Sequence, residues 1–105
     1  MYIYNVTINI ADSAREEFLT WMKIHIPDVL ATGKFLEARF SQVLVEEETG
    51  GTTYSVQYTA KSRADLDAYY KEDAPRLRQE GMKKFADTMI GFRTELKIIE
   101  DFKAY

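Results

Sequence analysis

The feature that most constrains this fold is the order in which two kinds of hydrophobic spacing follow one another. Apolar and polar side chains alternate from Tyr2 to Ile10, and a period of two predicts a β-strand with one buried face. From Phe18 to Val29 the apolar residues recur every three or four positions, which predicts an amphipathic helix. Two more strand patterns, a second helix pattern and a last strand pattern follow. The sequence therefore predicts the element order β-α-β-β-α-β.

The first predicted helix carries the only Trp and the only His of the chain. Asp12 or Ser13 is expected to cap its start, because both side chains can accept a hydrogen bond from the first turn. Pro27 has no backbone N–H, so the helix is expected to bend or restart there. Gly33 tolerates a positive φ and is expected to end it.

The element order is that of a ferredoxin-like α+β domain. Right-handed crossovers then place both helices on one face of a four-stranded antiparallel sheet with strand order 4-1-3-2. The second helix opens with the capping-box pattern Ser62-Arg-Ala-Asp65 and is expected to restart at Asp73-Ala-Pro75. The predicted strands are Tyr2–Ile10, Phe35–Val45, Thr52–Ala60 and Ile90–Glu100.

The predicted sheet has an apolar face that meets the helices and a polar face that does not. Gly81 is expected either to allow a close approach between helices or to mark a break. The polar face is expected to hold Asn5, Thr7, Arg39, Gln57, Arg93 and Glu95. The large apolar residues expected to face inward include Leu36, Phe40, Leu44, Met82, Phe85, Ile90, Phe92 and Leu96.

Length and composition narrow the class of protein. A chain of 105 residues, 46% of them hydrophobic, is expected to fold as a single domain, residues 1–105. A net charge of −3 argues against nucleic-acid binding, which needs a basic surface. The absence of cysteine, of a signal peptide and of a long apolar run predicts a cytoplasmic protein that does not enter a membrane.

His25 is the first candidate for chemistry, as a catalytic residue. Trp21 lies one turn before it and Asp28 about one turn after it, and a histidine with a near-neutral pKa can transfer protons. The alternative is structural. In that case the imidazole packs on Trp21 and hydrogen-bonds a backbone carbonyl freed at Pro27.

A row of polar residues across the sheet is the second candidate, as an anion-binding site. The predicted strand order aligns Arg93, Asn5 or Thr7, Gln57 and Arg39. Two guanidinium groups and an amide suit a carboxylate or a phosphate. The alternative is a solvated face on which glutamates pair with the arginines.

Tyrosines form the third candidate, as the lining of a ligand cavity. Their rings fall on inward faces together with Trp and Met, and such a cavity suits an aromatic ligand. The alternative is that each packs in the core with its hydroxyl reaching water. No spacing typical of a metal site is present, and no cofactor is predicted. The tyrosines concerned are Tyr4, Tyr54, Tyr58, Tyr69 and Tyr70.

The chain resembles a bacterial family known only as a domain of unknown function, which is similar in fold to the dimeric α+β barrel group. That group includes antibiotic-biosynthesis-type monooxygenases and small stress-response barrels. The resemblance implies a homodimer in which two sheets face each other, with a pocket between each sheet and its helices. The segments that carry it are Tyr4-Asn-Val-Thr7, Trp21-Met22, His25-Ile-Pro27, Ala31-Thr-Gly33, Tyr54-Ser-Val-Gln-Tyr-Thr59 and Phe92-Arg-Thr94.

The residues of the haem-degrading members of that group do not carry over. Those proteins use an Asn, a Trp and a His, with the His on the second helix. Asn5 could match, but Trp21 and His25 belong to the first helix and the second has no His. The resemblance therefore implies no haem.

Two functions follow as hypotheses. The first is a homodimeric domain that binds a small molecule or a partner protein. The alternative is a cofactor-independent monooxygenase or isomerase that acts on a small aromatic or acidic compound near Trp21, His25 and Tyr58. Fold alone does not decide between them.

Overall fold

An antiparallel sheet organises the molecule, and the computed structural model describes all residues from Met1 to Tyr105. Its strands are β1 (Tyr2–Ile10), β2 (Glu37–Gln42), β3 (Thr52–Ala60) and β4 (Met89–Lys97). They lie in the order β2-β3-β1-β4, which confirms the predicted strand order and the ferredoxin-like α+β fold. β2 and β4 are the two edge strands. β2 is shorter than predicted, and it is Phe35 rather than Leu36 that is buried before it.

The helices are α1 (Arg15–Leu30), α2 (Arg63–Glu72) and α3 (Ala74–Phe85). The start of α2 confirms the predicted cap, since Ser62 Oγ accepts a hydrogen bond from the backbone N–H of Asp65 at 3.1 Å. The predicted restart is also confirmed. α3 follows α2 after a break at Asp73, with Pro75 in its first turn.

The cap expected at the start of α1 and the restart expected at Pro27 are both absent. The chain enters α1 through a short 3₁₀ turn, Asp12–Ala14, and no side chain caps either helix start. α1 also continues through Pro27 to Leu30 without restarting. Proline removes only the bond that its own nitrogen would donate, and its carbonyl still accepts one from Ala31 at 2.8 Å. Gly33 does end the segment, with φ of 78°.

The phase of β4 is the main correction to the predicted sheet. Residues directly opposite each other in an antiparallel pair lie on the same face. Val6 of β1 lies opposite Arg93, and Tyr4 lies opposite Glu95. Arg93 and Glu95 therefore face the helices, and neither lies on the polar face. The apolar residues of β4 that were expected inside lie on the face of the sheet that no helix covers, called the open face below. There Ile90 is 78% exposed, Phe92 61% and Leu96 42%.

The core fills the space between the sheet and the helices. Its largest fully buried side chains include Phe18 and Met22 of α1, Leu66 of α2, and Leu77 and Phe85 of α3. Leu36, Leu44 and Met82 were expected to join them and are 58%, 88% and 57% exposed. Burying apolar surface against the sheet fixes where α1 and α3 lie, and that placement creates the cavity described next.

None of the helices combines the length and the hydropathy that a membrane crossing requires.

Candidate binding cavity

A cavity of about 60 Å³ lies between the helix face of the sheet and the helices. Its lining comes from α1, α2, α3, β1, β3 and β4, and eleven of its fifteen residues are hydrophobic. Only His25, Arg78 and Arg93 among them carry ionisable nitrogen, and no Asp or Glu lines the cavity. This space is large enough to hold water molecules or part of a small ligand.

Trp21 and His25 form one aromatic wall. They lie four residues apart on α1, and their rings stack with centroids 4.2 Å apart and an interplanar angle of 16°. Phe85 of α3 meets the indole edge-on at 5.5 Å. Gly81 confirms the predicted close approach, because a Cβ built there would lie 3.1 Å from Trp21 Cη2. A glycine in α3 therefore makes room for the indole.

Burial favours the neutral form of the His25 imidazole. Desolvation by burial lowers its pKa below the ordinary value, and the negative charges of Glu80 and Asp28 oppose that shift. The Nδ1 atom is buried and has no hydrogen-bond partner. The stacking on Trp21 expected from the structural alternative is present, but the expected hydrogen bond from a ring nitrogen to a freed carbonyl is not made by Nδ1. A buried nitrogen without a partner is uncommon, and here it belongs to a residue that lines a cavity.

The hydroxyl oxygen of Tyr4 accepts hydrogen bonds from two guanidinium groups. Arg93 donates from Nε at 2.8 Å, and Arg78 donates from Nη2 at 3.0 Å. Tyr4 is 2% exposed and lies at the centre of an aromatic cluster, within 6.1 Å of Phe35 and 5.6 Å of Tyr69 between ring centroids. The packed ring fixes the position of its oxygen, and the oxygen in turn positions the two arginines.

Arg78 also has an unused donor. Its Nε is buried without a hydrogen-bond partner, and its guanidinium carbon lies 5.8 Å from the centre of the Tyr70 ring. Arg78 and His25 are the two residues of the chain with a buried, unpaired side-chain nitrogen, and both line this cavity. Arg78 was not predicted. Its place one residue after the buried Leu77, beside the apolar stripe of α3, was the only signal of its inward orientation.

Tyr58 and Tyr69 add two further hydroxyls to the lining. Both residues are 3% exposed, and burial raises the pKa of each phenol, so both are neutral donors at pH 7. Tyr58 was predicted as a ligand-binding residue, and the structure places it beside the predicted Trp21 and His25.

A separate polar cluster lies next to the cavity on the same face of the sheet. Glu95 accepts hydrogen bonds from Arg63 Nη1 at 2.8 Å and from the hydroxyl of Tyr70. These contacts, the one with Arg63 first, hold the pKa of Glu95 below its ordinary value. The charge of this carboxylate is therefore balanced by Arg63. Arg93 is two residues from Glu95 but has no carboxylate within salt-bridge distance.

The predicted polar row is broken. Arg39 and Gln57 lie directly opposite each other on neighbouring strands, on the open face. They border a groove there together with Glu37. Arg93 lies on the opposite face and lines the cavity. Four of the predicted site residues, Trp21, His25, Tyr58 and Arg93, thus share the cavity, and the other two do not.

No three His, Asp or Glu side chains gather in positions that could hold a metal ion.

Comparison with known families identifies the chain. A family model described as a domain of unknown function, DUF4286, matches residues 1–99. The chain belongs to this family. This confirms the resemblance to a family of unknown function that the sequence segments indicated. A comparison of this DUF4286 member with curated proteins gave no match.

Solved structures share the fold of this DUF4286 protein at low identity. A dimeric ferredoxin-like protein from an uncultured marine organism is 13% identical, with a TM-score of 0.72 over 96% of this chain and 97% of its own. A Deinococcus radiodurans protein, provisionally named an antibiotic biosynthesis monooxygenase, is 10% identical, with a TM-score of 0.68 over 100% and 99%. A dimeric ferredoxin-like protein of unknown function from Jannaschia is 17% identical, with a TM-score of 0.59 over 93% and 100%. At these identities the likeness shows the fold alone.

Proposed function

We propose that this DUF4286 protein is a homodimer that binds one small organic molecule per copy in the cavity between sheet and helices. The observation that carries the proposal is the pair of buried, unpaired nitrogens, His25 Nδ1 and Arg78 Nε, in one mostly apolar cavity. Leaving a buried donor or acceptor unpaired costs about 1–3 kcal/mol, and a ligand or ordered water that pairs with both would recover that free energy. An apolar cavity with a few convergent polar groups is the usual form of a small-molecule site.

A screen of small aromatic and acidic compounds tests the binding. Ligand-detected NMR identifies binders, and emission of the single Trp reports whether they reach the cavity, because Trp21 forms one wall of it. The variant Val6→Phe is expected to fill the cavity and abolish binding, while Val45→Phe, at a residue 60% exposed, leaves binding unchanged. Circular dichroism checks that both fold. Compounds that bind without changing Trp21 emission, and equally to Val6→Phe, would contradict the cavity as the site.

The second copy is proposed to cover the open face of the sheet. Ile90, Phe92 and Leu96 of β4 lie along that face at an edge of the sheet. Soluble monomers rarely expose contiguous apolar side chains, so this stripe indicates an interface. Two ferredoxin-like structural neighbours are described as dimeric. Pairing the open faces by a two-fold axis would bury this stripe and leave the cavity on the helix side of each copy.

A second candidate function is catalysis by His25. The neutral imidazole with a free Nδ1 in a cavity has the form of a general base. Structural neighbours provisionally named monooxygenases make a cofactor-independent oxygenase or isomerase the class to test. Turnover of a compound that binds in the cavity, with a loss of kcat in His25→Ala much larger than the loss of affinity, would favour this function. Binding without turnover favours the first.

A further inference from the structure

We infer that the ligand is a small carboxylic acid with a planar apolar body, whose carboxylate lies against Arg78 and Arg93. This inference rests on the proposed function, because it names the chemical class of the ligand in the same cavity. It assigns the two arginines as the selective part of the site. The aromatic wall of Trp21 and His25 is assigned to the body of the ligand, and an ordered water rather than the carboxylate would pair with His25 Nδ1.

Uncompensated charge is the first observation that supports an anion. Arg63 has two carboxylate partners, and Lys34 also has two, at 3.1 and 3.5 Å. Arg78 and Arg93 have no carboxylate within 4.0 Å, and the cavity that they line contains no Asp or Glu. Two positive charges without a counter-charge beside an apolar cavity favour an anionic ligand.

The arrangement of the two guanidinium groups is the second observation. Both donate to the same oxygen, that of Tyr4, so the two positive charges are held close together although they repel. Each group has further N–H donors in a planar fork, and Arg78 Nε is already buried and unpaired. A carboxylate accepts two parallel N–H bonds from such a fork, and its charge would offset the repulsion.

The position of Arg93 indicates how a ligand would enter. Arg93 is an exposed residue of the edge strand β4, yet it lines the cavity. Arg78 is half-buried. The charged end of the cavity is therefore the end nearest to solvent at the sheet edge, and the apolar lining lies further inside. An acid would enter with its ring first and leave its carboxylate beside the two arginines.

The rest of the lining limits the body of the ligand. Most of it is aliphatic and aromatic, which disfavours inorganic phosphate or a sugar acid covered with hydroxyls. A volume of about 60 Å³ holds part of a ring, since a cavity that takes up a whole benzene molecule measures about 150 Å³, so the lining has to shift to admit one. The flexible side chains of Met22 and Met89 can adjust around a ring of that size.

Benzoate and benzamide form a matched pair of probes, because they share a ring and differ in the charge of one group. Titration followed by Trp21 emission, with thermal shift as a second readout, gives an affinity for each. Benzoate is expected to bind the wild-type protein at least tenfold more tightly than benzamide. Arg78→Gln and Arg93→Gln are each expected to weaken benzoate binding about tenfold and benzamide binding much less, so that the ratio falls to near one.

Arg39→Gln is the control variant. Arg39 lies on the open face, so removing its charge lowers the net charge of the protein by the same amount without touching the cavity. The preference for benzoate is expected to persist in Arg39→Gln and, in part, in Arg93→Lys, which keeps the charge but not the fork. Because Arg93 is an exposed residue, its variants are expected to fold.

The other outcomes separate the inference from the proposed function. Equal binding of benzoate and benzamide would overturn the carboxylate inference and leave the cavity as a binding site. Binding of neither at millimolar concentration would overturn both. Inorganic phosphate that binds as well as benzoate, and competes with it, would show that the arginines hold an anion only, which contradicts an acid with a planar body.

Discussion

Tyr4 connects the core of the molecule to the candidate site. Its ring packs among Phe35, Tyr58 and Tyr69, and its hydroxyl fixes two guanidinium groups beside the cavity. Sequence alternation predicted that the ring faces inward, since Tyr4 lies in the most regular strand pattern of the chain. It could not predict Arg78 as its partner, because that contact joins residues 74 positions apart.

The pKa of His25 is predicted to lie below 6.5 in the folded protein, because burial disfavours the charged imidazole. The chain has one histidine, so a proton NMR titration follows one imidazole Hε1 signal and gives one midpoint. Glu80→Gln is expected to lower the midpoint further, since the Glu80 carboxylate favours the charged form. A midpoint at or above 6.5 would contradict burial as the dominant cause.

The same pKa shift predicts how stability depends on pH. The unfolded chain binds a proton at His25 near pH 6.5, whereas the folded protein does so only at lower pH. The stability contributed by this difference is therefore complete above pH 6.5 and is lost as the pH falls towards the folded pKa. Urea unfolding at pH 7.5 and pH 5.5 is expected to show a smaller loss for His25→Gln than for the wild type. An equal loss in both would exclude His25 as the source.

Gly81→Ala is predicted to displace the indole of Trp21, because the new Cβ would lie 3.1 Å from Cη2. Alanine favours a helix over glycine by about 1 kcal/mol, and the contact with Trp21 is expected to offset part of that gain. The measurement is Trp emission together with urea unfolding. Gln79→Ala, at an exposed neighbour, should leave the emission unchanged, and an unchanged spectrum in Gly81→Ala would show that the indole is not confined there.

At the scale of single elements, β4 shows where pattern alone is insufficient. Ile90, Phe92 and Leu96 alternate with the charged residues Arg93, Glu95 and Lys97 over most of β4, so the alternation correctly predicts a strand. Its apolar set was then assigned to the core, but the register with β1 directs Arg93 and Glu95 towards the helices. A one-residue change of phase exchanges the two faces of a strand, and an edge strand has a neighbour on one side only to define that phase. The sequence therefore predicted the existence of β4 and Arg93 as a site residue, but it placed Arg93 on the wrong face of the sheet.

The two helix starts give an element-scale prediction. Ser62→Ala removes the oxygen that accepts a bond from the Asp65 N–H and is expected to cost about 1 kcal/mol of the free energy of unfolding. Ser13→Ala is the matched control, because no side chain caps the start of α1, and its effect should lie within about 0.5 kcal/mol of zero. Urea unfolding measures both. Equal losses would mean that the Ser62 bond contributes nothing specific.

For the whole molecule, strand order and right-handed crossovers sufficed to predict the topology, because only a few arrangements satisfy both. The predicted homodimer remains a proposal. A second copy would bury the apolar stripe of β4, which consists of Ile90, Phe92 and Leu96. The two faces of the sheet would then have different roles. In this proposal the helix face would hold the ligand, and the open face would join the copies.

The native mass of the protein tests this central claim most directly. Light scattering after size-exclusion chromatography, over a range of concentrations, is expected to give twice the chain mass of 12.2 kDa. Phe92→Glu is expected to give a monomer, while Met82→Glu, at a residue of similar exposure on α3, should remain a dimer. A wild-type protein that stays monomeric at high concentration, or a Phe92→Glu variant that still dimerises, would contradict the claim that a second copy covers the open face.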